Sequence, residues 1–359
     1  MRSEIDMNVP NGQMKEPHSM KCRPGKVLGI TLLLLQSGLA WAGTPERLGT
    51  GGAEELRIPV GARSVGMSSA NLGGVTGAEA LFTNPAGLAA TDNKTEVLFS
   101  YARYIADMNL NYIAIGQKMG DLGSIGFTAR VLNVGDIIRT TETAPDGTGD
   151  VFSPTFATLG LSYAKTLTDR VNFGGTINYV TESVLQTSSN GVSFDFGFQY
   201  DTGLRGMRLG MAMKNFGLSR SFGGSDFESN QHLPSDDPQA ANRTLALTSA
   251  EYELPSFFAG GLSWPVLQGV QSLTLHGLYQ SNSFDVDEFR IGAEYRWRRD
   301  ISARLGYKIT SNSDDLFGLT YGAGVRVPFG VSNMYIDYAG QVVKDFFDDV
   351  HHVGVEVTF

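Results

Sequence analysis

Apolar and polar residues alternate with a period of two from residue 93 to the end of the chain. In the clearest segment, 192–201, every second residue from Val192 to Tyr200 is apolar, and Ser, Asp, Gly, Gln and Asp lie between them. This period predicts β-strands that have one apolar face and one polar face. The segments that show it are 95–103, 108–117, 124–134, 155–165, 171–181, 192–201, 207–215, 257–264, 271–279, 288–297, 301–309, 317–327, 334–342 and 351–359.

Two all-β folds produce such alternation, a soluble sandwich and a membrane-spanning barrel. The strands of a sandwich usually have about five or six residues. A tilted strand needs about nine to eleven residues to cross the hydrocarbon core of a bilayer, and most of the predicted strands have that length. We therefore predict an all-β fold, a transmembrane antiparallel β-barrel of about 14 strands.

The connections between the predicted strands alternate in length, as they do in outer-membrane barrels that begin and end in the periplasm. After the even-numbered strands the connections are short turns, and after the odd-numbered strands they are mostly long, with 105–107 as the exception. This asymmetry favours the barrel over the sandwich. The long connections are predicted at 135–154, 182–191, 216–256, 280–287, 310–316 and 343–350.

Residues 243–252, within the longest connection, also alternate weakly. A fifteenth spanning strand here would break the even strand count and the alternation of loop lengths. We therefore predict an extracellular hairpin arm or lid in this segment.

The N-terminal segment, 1–42, has the features of a secretory signal peptide. Basic residues precede a short apolar run at 27–35, and the small-residue site Ala40-Trp41-Ala42 follows. We predict cleavage after Ala42 and a location in the outer membrane, with lipid as the surrounding partner. Cleavage would also remove Cys22, the only cysteine, and so exclude disulfides and cysteine chemistry from the exported chain.

The composition excludes further classes of protein. The formal net charge is −9, and an acidic chain has little with which to neutralise phosphates, so no nucleic-acid partner is expected. Outside the leader there is no apolar run of the length that a transmembrane helix needs.

No catalytic or metal-binding constellation stands out in the sequence. His276 shares a predicted polar face with Ser272 and Thr274, but no second histidine and no Gly-x-Ser-x-Gly elbow support a hydrolase. The acidic residues near His351 and in the preceding loop lack the spacing of a calcium loop. We therefore predict neither an enzyme nor a metal site, and expect no cofactor.

The segment 43–92 precedes the alternating region and has no clear period. Its centre, 61–88, is rich in glycine and alanine, and small residues allow tight backbone packing. Because there is no second domain for a linker to connect, we predict an N-terminal plug at 43–92 that lies in the lumen of a barrel formed by 93–359. Asn84 is expected to form a hydrogen bond with the inner wall.

Two motifs in this segment carry a resemblance to a known family. Gly61-Ala62-Arg63 followed by Gly66-Met67, and then Asn84-Pro85-Ala86-Gly87-Leu88, resemble the N-terminal signature of the PorV/PorQ outer-membrane proteins, which are related in fold to the FadL transporters. The resemblance implies a barrel of 14 strands with a luminal plug containing these residues. The terminal Phe359 resembles the sorting and closure signal of outer-membrane barrels.

Two functions follow from the resemblance, and neither requires catalysis. The first is an accessory or shuttle role in type IX protein secretion, with a translocon subunit and secreted cargo as partners. The alternative is a FadL-like transporter with a hydrophobic small ligand. The sequence favours the first because its motifs resemble those of the PorV/PorQ proteins.

Overall fold

Fourteen antiparallel strands form one sheet that closes on itself. The computed structural model describes residues 47–231, 241–312, 315–330, 332–344 and 347–359. The predicted leader lies outside these described residues. The barrel strands are β1 (Thr95–Arg103), β2 (Asn109–Lys118), β3 (Ser124–Asn133), β4 (Thr155–Thr168), β5 (Val171–Val184), β6 (Thr187–Asp201), β7 (Arg208–Gly217), β8 (Phe257–Leu267), β9 (Gln271–Asn282), β10 (Glu288–Trp297), β11 (Ile301–Thr310), β12 (Phe317–Phe329), β13 (Ser332–Val343) and β14 (Val350–Thr358).

Each strand pairs with its neighbours in sequence, and β1 pairs with β14 to close the ring. The closing register runs from Glu96 opposite Thr358 to Arg103 opposite His351. The 14-stranded antiparallel barrel predicted from the sequence is thus confirmed. Among the described residues, no helix is long and apolar enough to span a membrane.

Burial along the strands is the reverse of that in a soluble protein. On β6, Phe194, Phe196 and Phe198 are 37 to 42% exposed, whereas Ser193 and Asp195 are buried in the lumen. The other strands repeat this arrangement, with apolar side chains outside and polar side chains inside. An apolar outer face is what a lipid environment requires of a transmembrane barrel.

The two ends of the barrel differ. The end near Lys94 and Phe359, here called the terminal end, has short turns, and the opposite end, here called the loop end, has most of the long connections. The predicted long loop at 182–191 is wrong, because β5 and β6 extend into this range and only 185–186 form the turn. Their polar residues extend the strand pairing beyond the apolar part of the wall.

The weakly alternating segment of the longest connection is not a barrel strand. Arg243–Ala246 pairs with Glu228–Gln231 as a separate hairpin, outside the closed sheet. The hairpin follows β7 at the loop end, where the sequence predicts an arm. A smaller hairpin, of Ile137–Ile138 with Val151–Phe152, lies in the connection after β3.

The described residues before β1, from 47 onward, fill the lumen with short helices and turns. They contain two α-helices, α1 (Ala62–Val65) and α2 (Ala80–Thr83), and 3₁₀ turns at Glu54–Arg57, Gly77–Glu79 and Pro85–Ala90. We call residues 53–91 the plug. Its apolar side chains pack on the few inward-facing apolar residues of the wall, such as Leu110 and Leu132 on β2 and β3.

A positive charge on the outer face tests this arrangement. Leu161 lies midway along β4 and is 64% exposed, whereas Leu122 is equally exposed in a turn at the terminal end. We expect Leu161→Lys to lower the free energy of unfolding in lipid by roughly 2 to 4 kcal/mol, and Leu122→Lys by about 0 to 1 kcal/mol, because the cost depends on depth in the bilayer. Urea titration in lipid vesicles measures both, and equal costs would contradict a bilayer centred on β4.

Candidate functional site

A buried cluster of charges attaches the plug to the wall. Arg63 of α1 donates two hydrogen bonds to Glu294 on β10, at 2.9 and 3.1 Å, and one to Glu79 of the plug, at 3.1 Å. Ser64 donates to the other oxygen of Glu79 at 2.7 Å. Burial would lower the pKa of Arg63, but Glu294 and Glu79 outweigh it and raise the pKa, so the guanidinium stays charged.

Glu294 is the centre of this cluster, because it accepts from three arginines. Besides Arg63, Arg304 of β11 lies 2.9 Å from one carboxylate oxygen and Arg296 lies 2.7 Å from the other. Arg304 also contacts Asp337 of β13 at 2.5 Å. Charges buried in this way are stable only when each has partners, so removal of one member leaves the others in an unfavourable environment.

Asn84 makes a second attachment, to β6, which is four strands from β10 in the ring. Its Nδ2 donates to the backbone oxygen of Phe198 on β6 at 3.0 Å, and to that of Leu72 in the plug at 3.2 Å. Its Oδ1 caps the turn that starts at Pro85 by accepting from the N–H of Ala86. The hydrogen bond expected between Asn84 and the inner wall is therefore present.

Glycines in the wall allow this close approach, a signal that our sequence interpretation missed. A Cβ at Gly197 would collide with Asn84 Oδ1, and a Cβ at Gly174 would collide with the backbone of Pro85. Both glycines occupy inward-facing positions on β6 and β5. Glycine within a strand often marks the close approach of another backbone, and glycines on the polar faces could have located the plug contacts.

The motif residues of the plug lie in two places. The first motif surrounds α1, next to β12, β13 and β14, and Gly61 there has a φ of 81°. The second motif forms the turn against β4, β5 and β6. The backbone of Phe359 bonds to Lys94 and Thr95 at the closing seam, and its role in sorting stays a prediction. The first motif comprises Gly61, Ala62, Arg63, Gly66 and Met67, and the second Asn84, Pro85, Ala86, Gly87 and Leu88.

Cavities lie on both sides of the plug. The one at the terminal end has a volume of about 330 Å³ and is polar. The one at the loop end, here called the loop-end cavity, has a volume of about 660 Å³. Its floor is the plug, including Ser68 and Ser69, and its upper wall includes Tyr104 and Leu316 from loops at that end.

One side of the loop-end cavity is apolar. It is formed by Met108, Leu132 and Phe156, and by Tyr104 stacked on Phe317 with ring centroids 5.9 Å apart. Burial raises the pKa of Tyr104 to about 12, so its hydroxyl is neutral at physiological pH. This side offers aromatic and aliphatic surface without a charge.

The other side of the loop-end cavity carries ion pairs. Arg57 of the plug contacts Glu288 on β10 at 3.1 Å, Asp285 at 2.9 Å and Glu54 at 3.2 Å. Burial would lower the pKa of Arg57, but Glu288, Glu54 and Asp285 raise it. The wall adds the pairs Arg290 with Glu288 and Lys308 with Asp315, both at 2.6 Å.

Glu55 differs from these carboxylates. Its Oε1 is buried and has no hydrogen-bond partner among the residues that the structure describes. Burial, and then the nearby carboxylate of Glu182, raise the pKa of Glu55 to about 7, while Arg130 acts in the opposite direction. No sequence pattern pointed to Glu55, because its environment is assembled from the plug, β3 and β5.

The described residues contain no group of three or more His, Cys, Asp and Glu side chains arranged to hold a metal ion. His276 faces the lumen and bonds to Ser263 Oγ at 2.8 Å, rather than to Ser272 or Thr274. Of the acidic loop residues considered as cation ligands, Asp314 and Asp345 lie outside the described positions. That the protein is not an enzyme stays a prediction.

No protein-family model and no curated protein matches the sequence. Solved structures do match. They include the monoaromatic hydrocarbon channel CymD (TM-score 0.55, 13% identity, 84% of this chain and 97% of that chain). A Pseudomonas aeruginosa FadL homologue matches with TM-score 0.53 and 12% identity, over 84% of this chain and 98% of that chain. The Ralstonia pickettii toluene transporter TbuX matches with TM-score 0.51 and 12% identity, over 83% and 97%. The chain thus shares the fold of FadL-type outer-membrane channels, and none of these matches shows the PorV/PorQ resemblance.

Removal of Arg63 should loosen the plug. Arg63→Met leaves Glu79 without its cation and takes one of three guanidinium groups from Glu294, so we expect a loss of roughly 1 to 3 kcal/mol of stability. Heat-dependent migration on SDS gels and protease cleavage within the plug measure the change. Arg103→Met is the control, since the Arg103–Asp107 pair is exposed to solvent, and it should behave as the wild type. Identical protease resistance of both variants would argue against the attachment.

Proposed function

We propose that the barrel passes small hydrophobic compounds across the outer membrane. The observation that carries the proposal is the apolar side of the loop-end cavity, which faces the lumen rather than lipid. Leu132 on β3 and Phe156 on β4 are opposite each other at inward-facing positions, and Leu132 is also opposite Leu110 of β2. Part of this apolar surface packs on the plug, and the part that lines the loop-end cavity is available to a ligand.

The size and position of the loop-end cavity support this function. Small-molecule sites usually have volumes of about 300 to 1,000 Å³, with mostly apolar walls and a few polar groups. The cavity falls in this range, at about 660 Å³. In outer-membrane barrels the short turns face the periplasm and the long loops face outward, so the loop end would face outward. The cavity would then receive compounds from outside the cell.

Transport requires the plug to move or rearrange, because it separates the loop-end cavity from the terminal end. Polar contacts hold the plug at Arg63 and Asn84. Apolar clusters that include Leu81 and Leu72 of the plug hold it as well. A channel that opens for its ligand would have to replace both kinds of contact.

The comparisons favour this function over the secretion role that the sequence motifs suggest. Proteins described as hydrocarbon channels and a toluene transporter share the fold over most of the chain, which also supports a location in the outer membrane. The type IX accessory role remains a second candidate, and the motifs at 61–67 and 84–88 are its support.

A larger side chain in the apolar wall should weaken ligand binding. We expect Leu132→Trp to reduce the affinity for butylbenzene at least fivefold, because the indole takes up space in the loop-end cavity. Val131→Trp is the matched control, since Val131 is the next residue on β3 and faces outward, and it should bind as the wild type does. Titration of the purified protein in nanodiscs measures both. Equal affinities of the two variants would place the ligand elsewhere.

Co-purification separates the two candidate functions. Gentle extraction of the tagged protein from outer membranes should recover no large translocon subunit and no secreted cargo if the barrel is a transporter. Deletion of the protein should slow the uptake of labelled toluene. Repeated recovery of a translocon subunit, together with unchanged uptake, would favour the secretion role instead.

A further inference from the structure

We infer that the loop-end cavity accepts hydrophobic compounds whose polar group is a protonated amine, and that Glu55 binds this group. The inference rests on the proposed function and names its class of substrate. It follows from the charges that line the cavity, from the unpartnered oxygen of Glu55 and from the aromatic wall opposite.

The lining of the loop-end cavity is acidic. Its described residues include twice as many carboxylates as basic side chains, which disfavours a compound that carries a carboxylate of its own. The carboxylates belong to Glu54, Glu55, Glu182, Asp285, Glu288 and Asp315, and the basic side chains are Arg57, Arg290 and Lys308.

None of the basic side chains is available to a ligand. Arg57 and Arg290 share Glu288, and Lys308 pairs with Asp315. A ligand anion would have to compete with carboxylates that already hold these cations at 2.6 to 3.1 Å. The acidic excess therefore remains after the ion pairs have formed.

Glu55 contributes one carboxylate to this acidic excess. The neighbouring Glu182 is already bound by Arg220 and by the hydroxyl of Tyr252. Arg130 donates to the backbone oxygens of Leu56 and Ile58 through Nη1, and its Nη2 has no hydrogen-bond partner among the described residues. Oε1 of Glu55 thus has no partner among the described residues, and a buried acceptor without a donor is unfavourable. Oε1 itself is enclosed by protein, so an ammonium group of a ligand would bind the part of Glu55 that lines the cavity.

The apolar side of the cavity fits the remainder of such a compound. Phe156 and Leu132 lie on the wall strands, and the Tyr104–Phe317 stack lies near the mouth. Aromatic faces attract ammonium groups as well as apolar chains. Lys308 already uses this attraction, since its Nζ lies 5.6 Å from the centroid of Phe317.

The binding should depend on pH in a defined direction. Burial and Glu182 raise the pKa of Glu55 to about 7, whereas Arg130 and Arg220 favour the ionised form. Below pH 6 the carboxyl is therefore mostly neutral, and above pH 8 it is mostly ionised. An alkyl amine stays protonated throughout this range, because its pKa is about 10. Affinity for the amine should increase from pH 5.5 to pH 8.

Three probes with the same apolar body test the inference. Isothermal titration of the full exported chain in nanodiscs compares 4-phenylbutylamine, 4-phenylbutanol and 4-phenylbutyrate. At pH 8 we expect the amine to bind at least tenfold more tightly than the carboxylate, with the alcohol between them. At pH 5.5 the preference for the amine should fall to threefold or less.

Glu55→Gln should abolish the preference for the amine while the affinity for the alcohol changes less than threefold. Glu142→Gln removes the same charge from an exposed loop position and should leave the preference intact. Heat-dependent migration on SDS gels checks that each variant is folded. If Glu55→Gln does not fold, the pH dependence of the wild-type protein decides.

The outcomes separate this inference from the proposed function. If the alcohol binds and the amine binds no more tightly, or if the amine preference survives Glu55→Gln, the amine inference is wrong and the transport proposal stands. The amine inference is also wrong, and the transport proposal stands, if 4-phenylbutyrate binds as tightly as 4-phenylbutylamine at pH 8. If none of the three probes binds the wild-type protein, both proposals fail.

Discussion

Closure of the backbone hydrogen-bond ring is the constraint on which the rest of this molecule depends. In hydrocarbon an unpaired N–H or C=O group costs several kcal/mol, and the pairing of β1 with β14 removes the last open edge. Since the outer face must then be apolar and the strands alternate, the inner face becomes polar. That polar lumen needs partners of its own, and the plug supplies many of them.

The plug supplies ion-pair and hydrogen-bond partners to polar groups of the lumen. Arg63 places a guanidinium between Glu294 of the wall and Glu79 of the plug, and Asn84 bonds to a wall carbonyl. Apolar contacts add to these attachments where the wall offers them, around Leu110. The apolar side of the loop-end cavity continues these apolar contacts beyond the plug, and we assign this open part to a ligand.

The strands could be predicted because the pleat of a β-strand imposes a period of two that is visible within ten residues. The extended β5–β6 hairpin was missed, since polar rim residues that pair have the same composition as a loop. The plug could be located, but its partners could not, because Arg63 and Glu294 lie 231 residues apart in sequence. The cavity and the environment of Glu55 arise only when the ring closes around the plug. The motifs pointed to secretion because they resemble those of the PorV/PorQ proteins. Such a resemblance contains no information on cavities, so the sequence could not be used to compare the two functions.

The plug also contacts the seam at which the ring closes. Helix α1 contacts β12, β13 and β14, whereas the turn at Gly77–Glu79 contacts β1 and β2, so the plug bridges the seam between the first and last strands. The same segment thus contacts both edges that meet at the seam, so its contacts oppose opening of the ring as well as loss of the plug.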